Sequence, residues 1–278
     1  MKPEKPNLDQ RTVESFGDEW NRFDQSALSA DESEVIFNAY FSTFPWDALP
    51  AGATGFDMGC GTGRWARHVA RRVGRLHCID PSNALDVARR NLAEYPNVEF
   101  HPAGVDDQCL ADASQDFGYS LGVLHHIPDT ASAMASCVRM LKPGAPFLVY
   151  LYYAFDNRSA GFRAIWKLSE LGRWLVSRMP ATLKHLTTEC IAALVYYPLA
   201  RTARLLEKLG LPVAGIPLSF YRTRSFYTMR TDARDRFGTP LEQRFTRQQI
   251  HAMMLASGLR DIRFSETEPF WCATGIKD

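Results

Sequence analysis

The run Gly55-Phe56-Asp57-Met58-Gly59-Cys60-Gly61-Thr62-Gly63-Arg64 constrains this chain more than any other segment. A strand-like stretch precedes it and a helix-like stretch follows. The three glycines between them lack Cβ atoms, so the backbone can turn sharply and a ligand can lie against it. The following helix aims its free N–H groups at that ligand. Strand, glycine turn and helix in this order open an α/β sheet.

The alternation continues. The pattern predicts strands over 52–58, 76–79, 98–101, 117–121 and 146–152, with helices over 64–73, 83–95 and 131–141. Lys142-Pro143-Gly144 stops the last of these. Thr246 caps a further helix to 256, Gly258 ends it, and strands over 260–265 and 270–276 close the chain as an antiparallel pair. The fold expected is a Rossmann-like, doubly wound α/β sheet, mostly parallel with an antiparallel last strand. Residues 49–154 and 241–278 form this core. Residues 1–48 read as an N-terminal helical cap, with Phe16, Trp20 and Phe23 on one face. Residues 155–240 read as a mainly helical insert, too long for a connector and suited to a substrate lid or an interface.

Spacing narrows the ligand. A dinucleotide fingerprint, Gly-x-Gly-x-x-Gly, would need glycine where Arg64 stands. Asp57, just ahead of the turn, would repel a diphosphate and attract a sulfonium or an ammonium group. Asp80, at the end of the second strand, can accept hydrogen bonds from both ribose hydroxyls of an adenosine. An adenosine with a cationic tail is implied, and S-adenosyl-L-methionine fits.

The segment from Asp57 to Gly63 resembles motif I of the class I S-adenosylmethionine-dependent methyltransferases. Two further segments agree: Leu124-His125-His126-Ile127-Pro128-Asp129 after the fourth strand, and Leu141-Lys142-Pro143-Gly144 before the fifth. They resemble stretches of the small-molecule branch that includes quinone-biosynthesis methyltransferases. The resemblance implies that Asp57, Gly59, Cys60, Gly61 and Gly63 line the methionine portion of the cofactor. It puts Asp80 on the ribose, Pro81 beside the adenine, and Val105 and Asp106 along the adenine edge. Ser120 and Leu121 would offer backbone groups to the methionine amine.

Methyl transfer from a sulfonium needs alignment in a dry pocket, and a base only where the acceptor must lose a proton. His125 and His126, after the fourth strand, and Tyr152 and Tyr153, at the end of the fifth, are the candidate catalysts. No segment carries the close ligand spacing of zinc or calcium motifs, so no metal is expected. In the insert, Arg222, Arg224 and Tyr227 lie in an arginine- and aromatic-rich run that could grip an anionic acceptor or form a solvated basic face.

Charge sharpens this division. The chain holds 32 Lys+Arg and 31 Asp+Glu, net +1, which argues against a nucleic-acid partner. Residues 155–240 nevertheless hold 14 basic and 6 acidic residues, net +8, leaving net −7 elsewhere. Six dispersed cysteines and the polar opening residues suggest a reduced, cytoplasmic protein without a secretory leader. The expected function is S-adenosylmethionine-dependent methyl transfer to O, C or N of a small biosynthetic metabolite. One alternative is a membrane-surface enzyme acting on a quinone or polyprenyl-linked acceptor, supported by an amphipathic, Trp-bearing helix over 159–178. An alternative of another class is a nicotinamide oxidoreductase or a non-catalytic cofactor-binding subunit. Peripheral membrane association and homodimerisation stay open.

Overall fold

The strands are β1 (Thr54–Met58), β2 (Arg75–Ile79), β3 (Val98–His101), β4 (Phe117–Leu121), β5 (Pro146–Tyr150), β6 (Leu259–Phe264) and β7 (Cys272–Lys277). They form one sheet in the order β3-β2-β1-β4-β5-β7-β6. The first five strands are parallel, and β7 runs antiparallel to both β5 and β6. This is a computed structural model describing residues 7–213 and 215–278; residues 1–6 of the expected cap and 214 of the insert lie outside it.

Parallel strands covered on both faces need apolar residues at every position, and β4 is buried throughout. One apolar layer gathers Phe56, Phe147, Val149, Leu124 and Met134; another gathers Leu76, Phe117, Tyr119 and Leu148. The strand order reverses between β1 and β4. Open sheets of this kind bind ligands at the carboxyl ends of the strands, at the point of reversal.

The chain divides into two compact units, 7–21 with 34–154 and 241–278, and 22–33 with 155–240. The first 48 residues are therefore shared between the units. Helix α1 spans Gln10–Arg22 and α2 spans Ala30–Tyr40.

Within the first unit, the helix expected over 64–73 is the four-residue α3, Ala66–Val69. The Asn97 amide explains its early end by donating to the carbonyls of Ala70 and Val73 at 2.9 and 3.0 Å. Helices α4 (Ala84–Asn91) and α5 (Thr130–Met140) follow β2 and β4. The Asp129 side chain caps α5 by accepting from Ser132 N–H at 3.0 Å. Strand β5 ends at Tyr150, two residues earlier than expected, and Tyr153 pairs instead with Phe245 in an isolated bridge.

The second unit contains α6 (Ala160–Val176), α7 (Ala181–Ile191), a π-helical stretch over Ala192–Tyr196, α8 (Tyr197–Lys208) and α9 (Phe226–Gly238). Helix α9 begins inside the arginine- and aromatic-rich run that holds Arg222, Arg224 and Tyr227. Its arginines mask an apolar period, Met229, Ala233 and Phe237, which packs with Ala192, Tyr196 and Ala200. The Ser225 hydroxyl caps it by accepting from Thr228 N–H. Pro198 does not break the helical run. It sits in the first turn of α8, where a missing N–H costs least, with the wider π turn just before it. In α10 (Arg247–Ala256), back in the first unit, Thr246 and Gln249 form a full capping box.

Candidate active site

The glycine turn is held by backbone bonds to the next strand. Gly59 and Cys60 N–H both donate to the Ile79 carbonyl, at 2.8 and 3.1 Å. All three glycines have positive φ. A Cβ on Gly59 would lie 2.4 Å from Val123, and one on Gly63 would lie 2.6 Å from Leu92, so only glycine fits at either place. At Gly61 a Cβ would reach within 3.3 Å of the Trp20 ring of α1.

Asp57 ends completely buried, and neither carboxyl oxygen meets a donor in normal hydrogen-bond geometry among the described residues. Burial pushes its pKa up to about 8, the Tyr119 hydroxyl offsetting part of the rise and the Asp80 charge adding to it. An uncompensated buried carboxyl facing a glycine turn is suited to a cationic ligand. Asp80 is anchored at both oxygens. Gly61 N–H donates to Oδ2 at 2.9 Å, and Ser82 N–H and Oγ–H donate to Oδ1 at 2.9 and 2.6 Å. Burial raises its pKa while these three donors oppose the rise. Each oxygen keeps acceptor capacity for a ribose hydroxyl.

Pro81, Ser82 and Asn83 line one side of a cavity of about 450 Å³ whose other wall is α1, through Gln10, Val13, Glu14, Asp18 and Asn21. In the segment expected to edge the adenine, Val105 is buried. Asp107 rather than Asp106 holds the turn there, accepting Gly104 N–H at 2.7 Å; Asp106 accepts Asn7 N–H at 3.1 Å. Ser120 is fully buried and donates to the Met58 carbonyl at 2.9 Å, and Leu121 is buried beside it. The Cys60 thiol pairs with Cys78, which with burial keeps it well above its usual range and uncharged.

The four catalytic candidates do not all converge. His125, His126 and Tyr152 form one ring cluster: His125 lies 3.9 Å from His126 and 4.0 Å from Tyr152 between centroids. Tyr153 points elsewhere, packing on Phe270 and Trp271. Burial, and then the charges of His126 and Arg244, hold the His125 pKa well below its usual value, so it is neutral. His126 Nδ1 lies 2.6 Å from the Leu241 carbonyl, so Nδ1 carries the proton and donates, leaving the lone pair on Nε2.

Sequence reasoning missed several members of this end of the sheet. Ser82 and Tyr119 carry no motif but flank the two acids. Arg244 lies 5.0 Å from the Tyr152 ring and pairs with Glu242 at 2.8 Å. Phe16 of α1 packs edge-on to His126. The helical spacing of Phe16, Trp20 and Phe23 was the signal for α1; nothing local marked Arg244, which arrives from the far end of the chain.

The substrate candidates lie in the second unit. Arg222 pairs with Glu207 at 2.9 Å and donates to the Ser219 carbonyl. Arg224 stacks over Phe220, and its carbonyl accepts from Arg201. The Tyr227 hydroxyl accepts Gln25 N–H at 2.9 Å.

Residues 56–149 match a methyltransferase domain family. The chain is 31% identical over 174 residues to a ubiquinone biosynthesis O-methyltransferase of Thiobacillus denitrificans, covering 56% of this chain and 73% of that protein. It is 37% identical over 105 residues to a 2-phytyl-1,4-naphtoquinone methyltransferase of Thermosynechococcus vestitus, covering 36% of this chain and 46% of the relative. In fold it is similar to an O-methyltransferase family protein from Burkholderia thailandensis, with a TM-score of 0.53 at 13% identity over 88% of this chain and 56% of the other. The glycine turn, the two buried acids at the strand ends and these likenesses agree, and the chain belongs to the class I S-adenosylmethionine-dependent methyltransferases, with S-adenosylmethionine as its cofactor.

Proposed function

We propose that the enzyme methylates a hydroxyl oxygen on a small ring compound related to a quinone. The observation that carries this is the ring cluster of His125, His126 and Tyr152 at the carboxyl ends of β4 and β5, beside the cofactor turn. Flat, largely buried rings suit a flat acceptor, and relatives named for ubiquinone and naphthoquinone methylation support the class. S-adenosylmethionine supplies the methyl group as an activated sulfonium substituent. Asp57, Asp80, the glycines and the backbone of Ser120 and Leu121 would hold that cofactor. Val123 packs against Gly59 at the turn. His126 takes the acceptor's proton at Nε2, because the Leu241 carbonyl fixes its tautomer; His125, buried and neutral, holds the ring in place. The test is methylation of a panel of prenylated catechols, hydroquinones and amines, read by mass spectrometry. Methyl gain on oxygen is expected, and gain confined to nitrogen or carbon would overturn the reading.

A specific observation favours acceptors drawn from a membrane surface. Helix α6 has inverted polarity. Its packed side carries Glu170, Arg173 and Trp166, with Arg236 of α9 paired to Glu170. Its outer side presents Ile165, Leu168, Leu171, Trp174 and Leu175, each at least half exposed. Exposed Arg163, Lys167 and Arg178 flank that stripe, and Arg178 lies 4.4 Å from the Trp174 ring. Apolar residues with basic flanks suit an anionic bilayer surface. Among the described residues no helix is long and apolar enough to cross a membrane. Flotation with anionic vesicles is expected to carry the enzyme; failure to float removes this reading and leaves the first intact. All six cysteines are free, which supports a reducing, cytoplasmic setting.

A further inference from the structure

At the other edge of the sheet lies a cluster that the methyl-transfer chemistry does not use. His77 stands on β2, and Glu99 and His101 stand on β3, the edge strand. His77 pairs in register with Glu99, and His101 follows two residues later. Side chains two apart share a face of the sheet, so all three project from the same face. Their ligand atoms lie within 4.8 Å of one another. His77 Nδ1 is 3.0 Å from His101 Nε2 and 3.3 Å from a Glu99 oxygen.

From this juxtaposition we propose that His77, Glu99 and His101 form a binding site for one divalent transition-metal ion of zinc type. Metal–ligand bonds of about 2.0–2.2 Å put neighbouring donors a little over 3 Å apart, close to the two spacings seen from His77. Two imidazole nitrogens and one carboxylate are a borderline donor set that prefers zinc, nickel or copper to magnesium or calcium. Three protein ligands leave a fourth position for water.

The surroundings shape the site. Arg75 binds the Glu99 oxygen Oε1 at 3.2 Å, which turns Oε2 toward His77. Hydrogen-bonded carboxylates of this kind orient metal ligands, although the positive charge also weakens the affinity. Arg89 is a second cation near His101. The segment 102–116 between β3 and β4 forms turns rather than a helix. Glu99 is exposed and His101 half-buried, so an ion has an entry path. An ion here ties β2 to the edge strand by side chains as well as backbone.

The test is titration of metal-free, full-length enzyme with zinc chloride by calorimetry, and with cobalt(II) by visible absorption. One ion per chain is expected. Glu99→Gln and His101→Asn, both at accessible positions, should each weaken binding at least tenfold while leaving the unfolding midpoint of the metal-free chain nearly unchanged. Should His77→Ala fail to fold, those two variants still decide. Three results would overturn the proposal: no heat with zinc, binding unaffected in the Glu99→Gln/His101→Asn double variant, or a thiolate-to-cobalt charge-transfer band placing the ion on a cysteine.

Discussion

Leu148 and Leu168 are the same side chain in the two units and sit in opposite surroundings. Leu148 lies in the middle of β5 with no exposed surface, while Leu168 of α6 is 73% exposed. The first unit places its apolar residues inside and its two acids at the strand ends. The second keeps ion pairs such as Arg230–Glu189 and Arg236–Glu170 within its packing and turns leucines outward. In the first unit burial makes the fold. In the second, part of the apolar surface is left for something the chain itself does not supply.

The largest effect expected is on the buried member of that pair. Leu148→Ala removes a close-packed side chain between β4 and β7 and should cost about 2–5 kcal/mol in urea unfolding. A loss under about 1 kcal/mol would mean that the sheet repacks freely, against the density of such interiors.

Next is Asp80→Ala, which deletes the carboxyl group proposed to accept from two ribose hydroxyls. With each such bond worth about 1.5 kcal/mol or more, S-adenosylhomocysteine should bind roughly 100-fold more weakly by calorimetry. Ser82→Ala, which removes the hydroxyl donor from Asp80 Oδ1 but leaves the backbone N–H bond, should do less. Unchanged affinity in Asp80→Ala would remove the ribose assignment.

The contrast also explains what could be read in advance. Strand β1, the glycine turn and Asp80 are local: backbone conformation at Gly59 and Gly63 forbids any other residue, so the requirement is written in sequence. Strands β3 and β4 matched expectation residue for residue: β4 is a run buried on both faces, and β3, at the edge, alternates Val98 and Phe100 with Glu99 and His101. Helix α3 came out short because the Asn97 side chain, more than 20 residues on, takes its terminal carbonyls. Helix α9 was hidden because Arg230, Arg234 and Arg236 use their charges inside the unit, on Glu189 and Glu170 among others. The candidate metal ligands were invisible for the same reason: Glu99 meets His77 only through strand register. The spread of Arg222 and Arg224 onto Glu207 and Phe220 could not be read from their clustering either.

A pH series tests the buried acids of the first unit. The Asp57 pKa is about 8 in the folded chain against an ordinary 3.8. Between those values the folded chain keeps a proton that the unfolded chain has released, so stability should fall as pH rises and level off above about 8. Asp57→Asn should flatten that slope. Binding of cationic S-adenosylmethionine should stabilise the carboxylate and release protons below pH 8, seen as a dependence of binding heat on buffer ionisation. A stability that rises from pH 5 to pH 8 through Asp57 would contradict the buried, uncompensated state.

The smallest effect on folding is expected at Leu168. Replacing it by Gln removes apolar surface that is already in water, and glutamine suits a helix nearly as well as leucine. Stability should stay within about 0.5 kcal/mol of the parent chain. The same substitution should lower binding to anionic vesicles, and Leu168→Gln/Leu171→Gln should lower it further. Activity on a short-chain, water-soluble acceptor should be unchanged, because neither leucine belongs to the cofactor turn or the ring cluster. Vesicle binding that survives both changes would show that the apolar stripe of α6 is not the lipid contact. A destabilisation of about 2 kcal/mol that grows on dilution would place a second copy of the chain against that helix instead. Either result would move the outward leucines out of the account of acceptor delivery while leaving the cofactor site of the first unit as it stands.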